Sequence, residues 1–290
     1  MIGDGEGDDF FHPDVMYSDP TDRPIETFKS DNFDGVFYLA DTYRIYHGFA
    51  KDVHALFYLE IPIVAIIDWE IYNGVKRGNL PVSPATATRP DTTRGVSKVW
   101  IKDTLLLASK KTSVPISVMV TPTVLSPFQL TRRIRKDAES YLPQKLFEIL
   151  EGFKTGNLVK VNKGDLRVVY DIIHNTDVAQ GALDIFFKGL KGFFMLSSNK
   201  FHTLEALLEI FYGRLVQSVP IKFEDTGIIV NKRRRSIENY DTTIDMITLW
   251  SEAVYSTWFP LDEIFDDIIQ VHLNVNKDYE ISQRVIVHLL

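Results

Sequence analysis

The chain contains no cysteine, and that absence removes disulfides, zinc–thiolate centres, iron–sulfur clusters and cysteine nucleophiles together. Its first residues are acidic rather than basic then apolar, so no signal peptide is expected. The longest apolar run, Ile61 to Ile67, is far short of the roughly 20 residues needed to span a bilayer. None of the eleven asparagines opens an Asn-x-Ser/Thr sequon, a further hint against secretion. An intracellular setting, cytoplasmic or nuclear, is the expectation.

Catalytic signatures are equally scarce. There is no Gly-x-Gly-x-x-Gly, no phosphate-binding Gly-Lys-Ser/Thr loop, no Gly-x-Ser-x-Gly elbow, no kinase signature and no His-Glu-x-x-His pair. Gly3, Gly5 and Gly7 precede no strand–helix unit and so do not form a dinucleotide loop. No cofactor is expected.

What is present suffices for a sizeable core. At 290 residues with 45% hydrophobic and 12% aromatic content, the chain can build one large domain or two small ones and is not globally disordered. The net charge of −7 is concentrated at one end. Residues 1–32 hold nine of the 39 acidic residues and two of the 32 basic ones, leaving 30 of each in the rest. With Pro13, Pro20, Pro24 and the three glycines, that segment reads as a flexible acidic tail. Phe10, Phe11 and Tyr17 give it something to dock with. Residues 33–290 read as a single body.

From Asp34 to Val124 the pattern is mostly β. Gly35–Ala40, Val53–Leu59, Ile61–Asp68, Ser97–Leu107 and Val114–Thr121 are rich in β-branched and aromatic residues. The last alternates as a half-buried strand should. Residues 78–95, with three prolines, read as a long exposed loop. Helices are expected at Pro127–Ser140, Pro143–Gly152, Gln180–Leu196, His202–Val216, Thr242–Thr257 and Leu261–Ile269. A hairpin is expected over Leu158–Ile173, and another from Val271 to Leu289 around Asn276-Lys277-Asp278. The expected fold class is therefore α+β: a predominantly β N-terminal half, and a helix-rich C-terminal half with a terminal β-hairpin.

Three sets of residues are candidates for function. Asp68 and Glu70 close the apolar strand from Ile61, where residues two apart point to one side and can share a divalent metal, with Asp103 as a third ligand. His47 and His54 are assigned nothing. The basic residues Arg132, Arg133, Arg135 and Lys136 oppose the dipole of their helix, and Lys232, Arg233, Arg234 and Arg235 precede Ser236. Both clusters suit RNA or another polyanion, while the second also suits a nuclear-import address or a kinase site at Ser236. Finally, Phe186, Phe187, Lys188, Lys191, Phe193 and Phe194 suit a membrane or partner contact, or else a buried helix with its lysines reaching out.

The functional expectation is a non-enzymatic structural or adaptor protein working through protein contacts, including self-association as a homo-oligomer, and through basic patches that meet RNA or membrane. A viral structural or accessory protein of matrix or movement type has that profile. The alternative is a metal-dependent nuclease or nucleotidyltransferase built on Asp68 and Glu70.

Overall fold

Short runs of branched and apolar residues line up side by side at the centre of the N-terminal part. Strands β1 (Val36–Leu39), β2 (Ile63–Asp68), β3 (Ile116–Thr121) and β7 (Gly192–Met195) form a four-stranded sheet in the order β1-β2-β3-β7. Every pairing in it is parallel. The computed structural model describes residues 33–39, 60–75, 80–127, 141–155, 159–162, 165–218, 228–231 and 259–273. All six residues of β3 are buried, because a parallel strand covered on both faces has no solvent side. The half-buried alternation expected there is corrected accordingly.

Two elements account for the difference in fold class. The segment Ser97–Leu107, expected as a strand, lies inside helix α1 (Thr93–Ser109). Its buried positions, Gly95, Lys98, Ile101, Leu105 and Ser109, recur every three or four residues, which is the helical period and not the strand period. Thr92 caps this helix by accepting the Gly95 N–H at 3.0 Å. Residues 180–196, expected as one helix, instead end helix α3 (Asn175–Phe187), turn, and enter β7. Gly189 and Gly192 make the turn, with φ of +59° and +121°, values that favour glycine. A helix lies between β2 and β3 and another between β3 and β7, so the sheet is parallel and the architecture is α/β. The α+β expectation is overturned.

The chain divides into two compact units. The first comprises residues 1–121, 179–196 and 244–256. Its core gathers Ile63, Ala65, Ile67, Val118, Val120 and Met195 from the sheet with Ile101 and Leu105 from α1. The second comprises residues 122–178, 197–243 and 257–290. There β6 (Val169–His174) pairs in parallel with β4 (Thr123–Leu125) and antiparallel with β8 (Phe201–Thr203). A separate pair joins β5 (Val159–Asn162) to β9 (Ile228–Asn231). The hairpin expected over Leu158–Ile173 does not form. Its two arms join different sheets, and a 3-10 turn over Asp165–Arg167 with Asp165 and Leu166 buried separates them.

Helices α2 (Tyr141–Thr155), α4 (Leu204–Ser218) and α5 (Leu261–Leu273) complete the second unit. The expected apolar stripe Leu204, Leu207, Leu208, Phe211 and Leu215 is buried, and Phe211 meets Phe265 edge-on at 5.1 Å. Arg214 forks onto Asp266, with Nε donating to Oδ1 at 2.8 Å, and ties α4 to α5. Val271 and Leu273, expected in a terminal strand, close α5 instead. The rest of that hairpin, the acidic tail, the strand expected at Val53–Leu59 and the helices expected at Pro127–Ser140 and Thr242–Thr257 lie outside the described residues, apart from Pro127 itself. No helix among the described residues is long and apolar enough to cross a membrane.

Candidate functional site

In open α/β sheets, ligands meet the protein outside the carboxyl ends of the parallel strands. At that end of β2 the chain places Asp68, then a 3-10 turn over Trp69–Tyr72. Asp68 caps the turn, its Oδ1 accepting the Glu70 N–H at 3.1 Å. Helix α1 presses its first turn against this corner. A Cβ on Gly95 would lie 2.6 Å from the Glu70 carbonyl oxygen, so only glycine permits the approach. Gly74 permits a second close approach just beyond the turn, its N–H donating to the Arg89 carbonyl at 2.6 Å.

That close packing brings Lys98 onto both acids. Its Nζ donates to Asp68 Oδ2 and, at 3.2 Å, to Glu70 Oε2. Arg94, one turn earlier on α1, puts Nε 3.5 Å from the same Glu70 oxygen. The result is a four-member cluster of two carboxylates and two cations. It is graded from inside to outside: the Lys98 side chain is 1% exposed, Glu70 15% and Asp68 35%. Burial, reinforced by the neighbouring Asp68 charge, raises the Glu70 carboxyl above the ordinary glutamate value, and the Lys98 and Arg94 charges only partly offset this. Such a group keeps its proton to higher pH than a surface glutamate, a property suited to acid–base work.

The metal site expected here does not assemble. Asp103 lies on α1 rather than on a strand, its side chain 61% exposed and paired with Lys102 at 2.9 Å. Among the described residues no group of three His, Cys, Asp or Glu is placed to hold a metal. What sequence reading missed was the cation: Lys98 sits at a buried position of the helical period, and that period was the available signal.

A second polar cluster lies in the other unit. Asp171 on β6 is fully buried. It accepts the Ser198 N–H at 2.9 Å, the Ser198 hydroxyl at 2.6 Å and the Ser197 hydroxyl. Burial pushes its carboxyl up to about 6 despite those three donors. At the end of β6, His174 stacks on Phe259 with ring centroids 4.5 Å apart. Its Nδ1 accepts the Thr176 N–H at 3.3 Å, and burial lowers the imidazole to about 4.

The remaining candidates are dispersed. Arg132, Arg133, Arg135, Lys136 and Lys232, Arg233, Arg234, Arg235 lie outside the described residues, as do Ser236, His47 and His54. The phenylalanine-rich segment is neither one helix nor one surface. Phe194 is buried, Phe186 packs on Phe37 at 5.5 Å, Phe193 lies under Lys102 at 5.4 Å, and Phe187 is 64% exposed. Lys191 donates to the Thr112 and Ser113 carbonyls at 3.1 and 2.7 Å.

Comparison with solved structures gives the fold its relatives. The UDP-glucose-4-epimerase of Stenotrophomonas maltophila, with bound NAD and formylated UDP-arabinopyranose, superposes with a TM-score of 0.71 at 15% identity, over 89% of this chain and 83% of its own. The dTDP-glucose 4,6-dehydratase of Bacillus anthracis, in complex with NAD, gives 0.69 at 15%, over 91% and 81%. The UDP-glucose 4-epimerase of Thermotoga maritima, with UDP-glucose, gives 0.66 at 13%, over 84% and 78%. The fold is Rossmann-like. No family model matches the sequence, and none of the curated proteins does.

These likenesses overturn the expectation of a viral matrix- or movement-type structural or adaptor protein, and with it the RNA-binding and structural assignments. The nuclease or nucleotidyltransferase alternative falls with them, and its third carboxylate is not there. The neighbours' NAD prompts a test of fit. A Rossmann pyrophosphate site needs a glycine-rich turn from strand to helix at a point where the strand order reverses. The sequence contains no such turn, and the order of the four described parallel strands does not reverse. Among the described residues, none forms such a turn at a strand end.

Proposed function

We propose that this chain is an enzyme of the sugar-nucleotide-modifying kind, one that takes a nucleotide-linked sugar at the carboxyl end of β2 and moves protons there with Glu70, Asp68 and Lys98. The observation that carries this reading is the buried Lys98 ammonium held between two carboxylates of unequal exposure, at the strand end where α/β proteins of this fold bind ligands. Each side chain has a distinct task. Asp68, the most exposed, accepts hydrogen bonds from sugar hydroxyls. Glu70, raised by burial, exchanges a proton between its carboxyl oxygen and a hydroxyl or an acidic C–H of the sugar. Lys98, donating to both carboxylates, steadies whichever of them is ionised. No step is routed through a dinucleotide. An intracellular setting, cytoplasmic or nuclear, belongs to the same proposal.

The test is a thermal-shift titration of the full chain with UDP-glucose and dTDP-glucose. Saturable binding raises the melting temperature by a few degrees at concentrations well above Kd, and Asp68→Ala removes the rise while leaving a cooperative transition. A wild-type protein whose melting temperature is unmoved by either ligand at millimolar concentration overturns the reading.

A further inference from the structure

We infer that the paired carboxyl ends of β4 and β6 form a binding site for an uncharged ligand group, one that accepts a hydrogen bond from His174 and donates another to Asn175. The two strands run parallel and end together, with Leu125 opposite His174. Parallel strands present ligand-binding residues at such ends. Beyond β4 stands Ser126, which is buried, and beyond β6 the first turn of α3. This junction lies within the second unit, and the inference does not rest on the reading of the β2 corner.

The imidazole of His174 is 5% exposed and is fixed from two directions. Phe259 covers one face of the ring. The Thr176 N–H, from the first turn of α3, donates to Nδ1 at 3.3 Å. Burial, which lowers the imidazole to about 4, keeps the ring neutral. A ring nitrogen that accepts a hydrogen bond carries no proton, so the proton is on Nε2. That nitrogen is buried with no hydrogen-bond partner among the described residues, and so is Oδ1 of Asn175. A donor and an acceptor on consecutive residues are therefore both unmet. Each costs free energy in the protein alone, and native proteins leave few such atoms.

The chemistry of the two atoms selects the ligand. A metal would need Nε2 without its proton, which the Thr176 N–H at Nδ1 opposes, and no trio of His, Cys, Asp or Glu among the described residues is placed to hold one. An anion would satisfy His174 but not the Asn175 oxygen, which can only accept. It would also meet Asp177, an acidic side chain of the same turn, 2% exposed and accepting the Phe259 N–H at 3.2 Å. A neutral group with an oxygen beside an O–H or N–H satisfies both atoms. Neighbouring hydroxyls of a sugar ring have that pattern, and so does the imide edge of a pyrimidine.

The experiment is nuclear magnetic resonance of the full chain carrying isotope-labelled histidine, with His174→Phe assigning the His174 signal among the seven histidines. The protein is titrated separately with methyl glucoside, uracil and inorganic phosphate. The expected result is a saturable shift of the His174 Nε2 signal with methyl glucoside or uracil, whichever responds naming the source, and none with phosphate. Asn175→Leu removes the unmet acceptor at nearly constant volume. It should melt no lower than wild type and weaken the response by about tenfold. A response to phosphate, an undiminished response in Asn175→Leu, or no response of the wild type to any probe at millimolar concentration overturns the inference. None of these outcomes depends on whether UDP-glucose raises the melting temperature through Asp68.

Discussion

The two buried polar clusters solve the same problem by different means. At the corner of β2, charge is met by charge: Asp68 and Glu70 hold Lys98, and Arg94 holds Glu70. Along β6, the Asp171 carboxyl is met by two hydroxyls and one N–H, and His174 by a single N–H and an aromatic face. A charge buried among opposite charges fails badly when its partners go, because an uncompensated ion remains. A carboxyl buried among neutral donors has the gentler option of taking up a proton. The first cluster should therefore be brittle to mutation, and the second sensitive to pH.

The sharpest way to break that contrast is to remove charge without removing shape. Asp68→Asn combined with Glu70→Gln leaves the Lys98 ammonium buried with only neutral oxygens near it. A loss of about 3–5 kcal/mol is expected, read as a melting temperature lower by roughly 10 °C. The matched pair in the other unit, Ser197→Ala with Ser198→Ala, removes neutral donors only and should cost about 1 kcal/mol per hydrogen bond. A double-amide variant no less stable than the double-alanine variant would erase the distinction.

The same two regions show what could be read from the residues beforehand. Strands β1, β2 and β3 were legible because short branched runs between turn residues leave little else to be, and the α4 stripe because five leucine and phenylalanine positions at helical spacing have one solution. Helix α1 was not, since its valines, isoleucine and tryptophan resemble a strand by composition. Its identity lay in the burial period running through Lys98, a residue type that composition assigns to the surface. With α1 read as a strand, the β-α-β order disappears and the parallel sheet with it. Asp68 and Glu70 were found as a pair, from strand periodicity alone. Their partner was not, because Lys98 is 28 to 30 residues away and the contact exists only after α1 packs on the 3-10 turn. Long-range pairing of this kind has no local signature.

Acidification offers a second, smaller test, in which two groups of the same unit pull in opposite directions. Asp171 is raised from 3.8 to about 6 in the folded protein. The stability it confers is fully present below pH 4 and is lost as pH rises through 6. His174 is lowered from 6.5 to about 4, so its contribution is present above pH 6.5 and is lost as pH falls through 4. Between pH 4 and 6.5 the two largely cancel in the wild type. Asp171→Asn should therefore lose more melting temperature, relative to wild type, at pH 4.5 than at pH 7. His174→Gln should do the reverse. Variants whose offsets from wild type are the same at both pH values would show that neither group binds its proton differently in the folded and unfolded states.

The smallest expected effect concerns the segment that most resembled a membrane or partner contact. Its four phenylalanines do not act as one, because the Gly189 and Gly192 turn sends them to different places. Phe194 is spent in the core and Phe186 against Phe37, while Phe187 is 64% exposed at the end of α3 and meets Phe186 edge-on, at 5.3 Å between centroids. A side chain so exposed has already forgone most of its burial free energy. Phe187→Ser should shift stability by no more than about 0.5 kcal/mol, the range of ordinary surface changes, and leave the corner of β2 untouched. The measurement is a urea titration with its slope compared with that of wild type. A loss several times larger would mean that Phe187 is covered in solution, and would place a contact at this exposed phenylalanine.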